Sequence, residues 1–174
     1  MAIYEFEGRK PDVSDQTYVA KSATIIGDVK IGDNCFIAPG ARIKGDYGTI
    51  IIGVNSNVQE NCVIHARPEK KTKIGDWVTI GHGAIIHGAN IGDYAVIGMG
   101  SIISDDAKVR RWSVVGEGAV VKNGQEIKKE KVAVGIPAKT INSISDEYKK
   151  EWKAIKEEYA SFSRRYKENL KRLD

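Results

Sequence analysis

Apolar residues recur at every sixth position through most of the chain. Two insertions divide this column of aliphatic residues into three runs, which begin at Val13, Ile52 and Ile74. A second column, two residues before each aliphatic position, holds small residues from Thr17 to Ala119. A helical period of 3.6 residues cannot keep a six-residue spacing on one face, so the pattern predicts short strands. The aliphatic column comprises Val13, Val19, Ile25, Ile31, Ile37, Ile43, Ile52, Val58, Ile64, Ile74, Ile80, Ile86, Ile91, Ile97, Ile103, Val109, Val115 and Val121.

The two columns predict an all-β solenoid with three hexads in each coil and both columns pointing inward. The 18 hexads predict about six coils, each rising by roughly 4.8 Å. Ile-Gly-Asp at 31–33, 74–76 and 91–93 puts Gly and Asp where the chain must turn. Over residues 13 to about 140 the chain resembles the hexapeptide-repeat proteins, which implies a left-handed parallel β-helix.

The hexad pattern ends near residues 135–139, where Gly and Pro interrupt it. We therefore predict a β-helix domain over 1–140 and a C-terminal amphipathic α-helix within 141–174. Ser145, followed by two acidic residues, is a typical helix start. The aromatic stripe of this helix is expected to pack on the solenoid or on a neighbouring subunit, and its charged residues to form a solvated face. Tyr159, on that stripe, is also a candidate to reach a site at an interface.

Composition narrows the classes of function. The 174 residues carry a net charge of +4, from 27 basic and 23 acidic residues, without a basic block. This argues against nucleic-acid binding, and the absence of a long apolar run argues against a membrane role. With no N-terminal leader pattern, a cytoplasmic location is expected. Cys35 and Cys62 occupy the small column and are expected to be buried and free.

All three histidines lie within the 23 residues from His65 to His87. Three aliphatic positions that lie three hexads apart, insertions aside, are each followed by a polar residue: Lys44, His65 and His87. These three side chains should therefore point outward and stack in successive coils, as a ladder. Neighbours on such a ladder are roughly 5 Å apart. Two stacked imidazoles at this separation can share a metal ion.

His82 has a different place, at the corner that precedes the strand of His87. About five extended residues separate the two, roughly 16 Å, so they cannot hold one ion within one chain. If all three histidines bind the same ion, His82 must come from another subunit, and a closed ring of three subunits would supply it. We therefore predict a homotrimer with metal sites between subunits. Three imidazoles with an open position are a catalytic zinc ligand set, and Fe²⁺ or Co²⁺ would also fit.

The residues around the histidines extend the pattern, and the chain here resembles the γ-class carbonic anhydrases. The resemblance implies reversible hydration of carbon dioxide to bicarbonate by a metal-bound hydroxide, with His65 and His87 from one chain and His82 from its neighbour. It also implies further site residues, although Lys44 stands where the family usually has arginine. By this resemblance the water is oriented by Gln59 and held by Asn57, while a basic side chain across the interface pairs with Asp46.

Two other functions remain open. Many hexapeptide-repeat proteins are acyl-coenzyme A transferases, which would use one histidine as a general base and need no metal. Residues 135–139, Gly-Ile-Pro-Ala-Lys, are common to both branches and do not decide between them. The third alternative is a non-enzymatic trimeric scaffold that keeps the metal as a structural clip.

Overall fold

The two sequence columns form the interior of a left-handed parallel β-helix. In the computed structural model, which describes residues 2–174, every aliphatic position from Ile25 to Val121 is buried. Val13 and Val19 are only partly buried. They lie in the first coil, which has a neighbouring coil on one side only. The hexad pattern thus predicts both the fold and its core.

The solenoid has about seven coils, one more than predicted. Seven parallel strands stack on the face where each coil contributes one short strand, from β3 to β19, and β20 closes this face in antiparallel orientation. The additional coil arises because Ile127 and Ala133 continue the column beyond Val121. The strands are β1 (Ala2–Tyr4), β2 (Asp12–Val13), β3 (Tyr18–Val19), β4 (Thr24–Ile31), β5 (Phe36–Ile37), β6 (Arg42–Ile52), β7 (Asn57–Val58), β8 (Val63–His65), β9 (Lys71–Ile74), β10 (Thr79–Ile80), β11 (Ile85–His87), β12 (Asn90–Ile91), β13 (Val96–Ile97), β14 (Ile102–Ile103), β15 (Lys108–Val109), β16 (Val114–Val115), β17 (Val120–Val121), β18 (Glu126–Ile127), β19 (Lys131–Val134) and β20 (Lys139–Ser143).

The Ile-Gly-Asp triplets connect adjacent coils at a corner. Asp76 accepts a hydrogen bond from the Val54 N–H at 2.9 Å, and Asp93 accepts one from the Asp76 N–H at 3.1 Å. A Cβ atom on Gly75 would lie 2.3 Å from the Asp93 carboxylate. The motif therefore needs glycine because the side chain of the next coil occupies that space.

Helix α1 (Asp146–Asn169) begins as predicted and packs on the solenoid of its own chain. The Ser145 hydroxyl accepts a hydrogen bond from the Tyr148 N–H at 3.1 Å, and Phe162 and Tyr166 pack edge-on against Phe36 of β5. The prediction of a wholly solvated charged face is wrong at Lys156, which has no exposed surface. Among residues 2–174, no helix is both long and apolar enough to cross a membrane.

Candidate functional site

The predicted ladder of Lys44, His65 and His87 is present on the outer surface. Lys44 pairs in register with His65, and His65 with His87, on strands β6, β8 and β11. The two imidazole centroids are 5.1 Å apart. His65 Nδ1 lies 3.1 Å from His87 Nε2. The spacing of the hexads therefore placed this pair correctly.

Each imidazole of the pair is held by a carboxylate on its other side. His65 Nε2 lies 2.9 Å from Asp46 Oδ1, and His87 Nδ1 lies 2.7 Å from Asp105 Oδ1. An ionised carboxylate can only accept a hydrogen bond, so these two ring nitrogens carry the protons. In neutral rings, the two nitrogens that face each other, 3.1 Å apart, then both carry a lone pair and no proton. A proton or a cation between them would satisfy both lone pairs.

Basic side chains flank the two carboxylates. Lys44 Nζ lies 3.0 Å from Asp46 Oδ2, while Arg67 donates to Asp105 Oδ2 from Nε at 2.9 Å and from Nη2 at 2.6 Å. Partial burial opposes ionisation of Asp46, but hydrogen bonds from His65 and Lys44 outweigh it and lower its pKa. The Arg67 hydrogen bond is the main reason why the pKa of Asp105 is lowered. Both carboxylates therefore remain acceptors at neutral pH.

Asp46 was predicted to pair with a basic side chain across an interface, and that pairing stays a prediction. Asp46 already binds Lys44 and His65 of its own chain, because it lies two residues beyond Lys44 on the same strand and beside His65 on the next. Two members of this chain of contacts were not among the predicted site residues. Asp105 lies 18 residues beyond His87, whereas the coil on this face is 17 residues long, so Asp105 falls one residue past the register position and the repeat alone does not identify it. Arg67 lies in an insertion between β8 and β9, where the hexads give no register.

His82 lies at the corner between β10 and β11, and its contacts differ from those of the pair. Its Nδ1 lies 2.6 Å from Glu60 Oε2, and about half of its side chain is exposed. No side chain or backbone group of residues 2–174 hydrogen-bonds to its Nε2. In the same residues, no three His, Cys, Asp or Glu side chains surround a common metal position. A metal ion between subunits therefore stays a prediction.

Asn57 and Gln59, predicted to act on the reacting water, are both buried. Gln59 Nε2 donates to Asn57 Oδ1 at 3.2 Å, and Asn57 Nδ2 donates to Thr79 Oγ1 at 3.1 Å. Lys156 Nζ of α1 donates to the same Thr79 hydroxyl at 3.1 Å. The two predicted amides are thus connected to a lysine that was not among the predicted site residues.

Tyr159 packs in the aromatic cluster between α1 and the solenoid. Its ring centroid lies 5.4 Å from that of Phe162 and 6.5 Å from that of Phe36. Burial raises the pKa of its hydroxyl, and the negative charge of Glu60 adds to this effect. Packing accounts for its position, and the catalytic role stays a prediction.

Three comparisons with known proteins fit this architecture. Residues 11–45 match the family described as "Bacterial transferase hexapeptide (six repeats)". The carnitine operon protein CaiE of Escherichia coli K12 is 38% identical over 155 residues, which is 89% of this chain and 79% of CaiE. The chain belongs to the bacterial transferase hexapeptide family. This assignment rests on the near-complete coverage of a relative as well as on the repeats.

Two solved structures are similar to this member of the hexapeptide family over almost its whole length. One, from Bacillus cereus, carries a provisional acetyltransferase assignment; it is 35% identical, covers 97% of this chain and 98% of its own, and has a TM-score of 0.95. The other is a hexapeptide transferase family protein from Anaplasma phagocytophilum, 34% identical over 95% of this chain and 98% of its own, with a TM-score of 0.91.

These relatives correct the functional prediction drawn from the carbonic anhydrase resemblance. Hydration of carbon dioxide, and with it the classification as a lyase, is wrong for this chain, because the relatives that match it along its length are described as transferases. The prediction was wrong because the histidine spacing indicates only which side chains share a face of the solenoid, and not which reaction they catalyse. Hexapeptide proteins with different chemistry can have the same spacing.

Proposed function

We propose that the protein transfers an acyl group from a coenzyme A thioester to a hydroxyl or amine of a small acceptor. The observation that carries this proposal is the His82–Glu60 pair, with its Nδ1–Oε2 distance of 2.6 Å and its half-exposed imidazole. The transferase descriptions of the two similar structures support it.

The pair has the arrangement that general-base catalysis requires. In the proposed step His82 carries its proton on Nδ1, the nitrogen beside the Glu60 carboxylate, and the Nε2 lone pair is free toward solvent. In the proposed step, Nε2 removes the proton of the acceptor as its oxygen or nitrogen forms a bond to the thioester carbonyl carbon. Collapse of the tetrahedral intermediate breaks the carbon–sulfur bond, and the leaving thiolate takes the proton from the imidazolium. His65 and His87 are less suited, since the nitrogens that are not held by a carboxylate face each other at 3.1 Å.

An exposed apolar strip supports assembly of the transferase as a trimer. Val63, Ile85 and Ile102 stack in register on strands β8, β11 and β14, each with close to two fifths of its surface exposed. Val63 and Ile85 lie two residues before His65 and His87, so the strip and the histidine pair share one outer face. Packing of a second subunit on this strip would bury it and enclose the histidines at the contact.

The facing nitrogens of His65 and His87 favour a second candidate, a metal-binding centre. Their 3.1 Å separation is close to the roughly 3.3 Å expected between two nitrogens that each lie about 2.05 Å from a tetrahedral ion. Carboxylates hold their outer nitrogens, as is usual for metal-binding histidines. The pair, with His82 of the partner subunit, would hold Zn²⁺, Fe²⁺ or Co²⁺. Such an ion can polarise a carbonyl oxygen.

The two proposals differ in what His82 does, and one experiment separates them. Release of free thiol from acetyl-coenzyme A would be measured with a panel of amine and hydroxyl acceptors, before and after chelation, with metal counted per chain. If His82 is the base, the rate falls by roughly 10²-fold or more in His82→Ala, and chelation changes nothing. Glu60→Gln should lower it less.

Each contrary result has a definite meaning. Activity that disappears on chelation and returns with Zn²⁺ would replace the general base with the metal. Acceptor-independent thiol release, or none with any acyl thioester and acceptor tried, would overturn the transferase proposal. Lys71→Met is a suitable control, since Lys71 is an exposed basic residue outside the His82–Glu60 pair.

A further inference from the structure

Lys156 is the largest fully buried side chain in the described residues, with 0% exposure. No carboxylate of residues 2–174 forms an ion pair with it. Its Nζ donates to the Ala95 carbonyl at 3.2 Å and to the Thr79 hydroxyl at 3.1 Å, and it lies 5.4 Å from the centre of the Trp152 ring. A lysine buried without a counter-ion is costly. If packing were the only role of this position, an apolar residue would be more favourable there than lysine.

The hydrogen bonds that start at Lys156 have a defined direction. Thr79 Oγ1 accepts from Lys156 and also from Asn57 Nδ2. Because the Asn57 nitrogen is turned toward Thr79, its oxygen faces Gln59 and accepts from Gln59 Nε2. The Lys156–Thr79 hydrogen bond therefore fixes the orientation of the Asn57 amide, which in turn fixes the orientation of the Gln59 amide.

The free end of this chain is the carbonyl oxygen of Gln59. The amide nitrogen of Gln59 is used by Asn57, and no fully buried side-chain oxygen or nitrogen in residues 2–174 lacks a partner. Gln59 Oε1 has no partner in these residues, so it must reach the surface. Gln59 directly precedes Glu60, whose backbone carbonyl accepts from the Gly83 N–H at 2.8 Å. The backbone that carries Gln59 thus leads directly into the corner with the His82–Glu60 pair.

We infer that Lys156 is a positioning residue that fixes the Gln59 amide with its carbonyl oxygen outward, ready to accept a hydrogen bond from the O–H or N–H of the acceptor substrate. The role in substrate binding rests on the proposed acyl transfer, whereas the orientation of the amide does not. Without the lysine donor, the Thr79 hydroxyl can donate to Asn57. Both amides could then reverse, and Gln59 would present a donor in place of an acceptor.

A double-mutant cycle tests the catalytic part. With acyl-coenzyme A saturating, Lys156→Met should raise KM for the acceptor by roughly tenfold, the equivalent of one hydrogen bond, and leave KM for the thioester unchanged. Thr79→Val interrupts the same chain and should have the same effect. In a Gln59→Ala background, Lys156→Met should change nothing further. Lys153→Met, an exposed site on the same helix, is the matched control.

A second measurement needs no substrate. In wild type, the side-chain NH₂ signals of Gln59, assigned from Gln59→Ala, should exchange slowly with solvent because Nε2 is buried against Asn57. Lys156→Met and Thr79→Val should each remove that protection. Unchanged protection in both variants would overturn the inferred orientation even if acyl transfer is correct. Equal losses of activity from Lys156→Met with and without Gln59 would show that the lysine acts through general stability.

Discussion

Lys156 makes the stability of the protein depend on pH in a predictable direction. Burial lowers its pKa from 10.5 to about 7, so between these values the unfolded chain binds a proton that the folded chain does not. The free energy of unfolding therefore gains up to roughly 1.4 kcal/mol per pH unit as pH rises from about 7 toward 10. Below that window the buried lysine is charged and the gain is absent.

The contribution of Lys156 can be isolated by comparison with Lys156→Met. Other groups titrate in both proteins, so the difference between their unfolding free energies should change with pH while their shared terms cancel. We expect the free energy of unfolding of wild type to rise relative to that of the variant between pH 7 and 10. Denaturant unfolding at steps of one pH unit would measure it. Parallel curves for the two proteins would mean that the lysine is not buried in solution.

Arg67 reaches the histidine pair through Asp105. Its two hydrogen bonds are the main cause of the lowered pKa of this carboxyl. Arg67→Gln should therefore raise the pKa of Asp105, measured by a titration of its carboxyl carbon signal. Lys70→Gln is the matched control on the same loop, since Lys70 binds Asp106 instead. An Asp105 pKa that shifts equally in both variants would argue against this specific contact.

Among the elements, the strands within the solenoid could be predicted from the sequence more completely than the ends of the solenoid. The column of aliphatic residues fixes the strands because each must cover the next coil. The final coil was missed because Gln125 and Lys131 replace the small residues there. Gln125 is tolerated because its Nε2 donates to the Ala138 carbonyl at 2.7 Å, in the segment that leads to β20. The residues at the end of the solenoid must fit the segment that closes it, and the repeat pattern gives no information about that segment.

Helix α1 illustrates the same limit within one element. Its start at Ser145 and its aromatic stripe could be predicted from local pattern, since both depend on residues near in sequence. The burial of Lys156 could not, because its partners Thr79 and Ala95 lie 77 and 61 residues away. Similarly, coil register predicts that His65 and His87 stack, but not that Arg67, in an insertion, holds Asp105.

At the scale of the whole molecule, the apolar strip predicts how subunits associate. Ile85→Lys places a charge in the middle of the strip formed by Val63, Ile85 and Ile102. Burying that charge without a partner is costly, so the variant should sediment as a monomer while wild type sediments as a trimer. Ile141→Lys, at an exposed position on β20, should leave the trimer intact. A trimeric Ile85→Lys protein would place the contact elsewhere.

Mixing two inactive subunits tests whether one metal site draws on two chains. His82→Ala and His65→Ala subunits each remove one predicted ligand, so neither alone should bind the ion tightly. In a closed ring of three, a site regains all ligands when a His82→Ala subunit supplies His65 and His87 and the adjacent His65→Ala subunit supplies His82. Random refolded mixtures should therefore recover about a quarter of the wild-type metal per chain. Equal metal in the mixture and in the separate variants would mean that the three histidines do not meet at one interface, and His82 would then be free to act as the base.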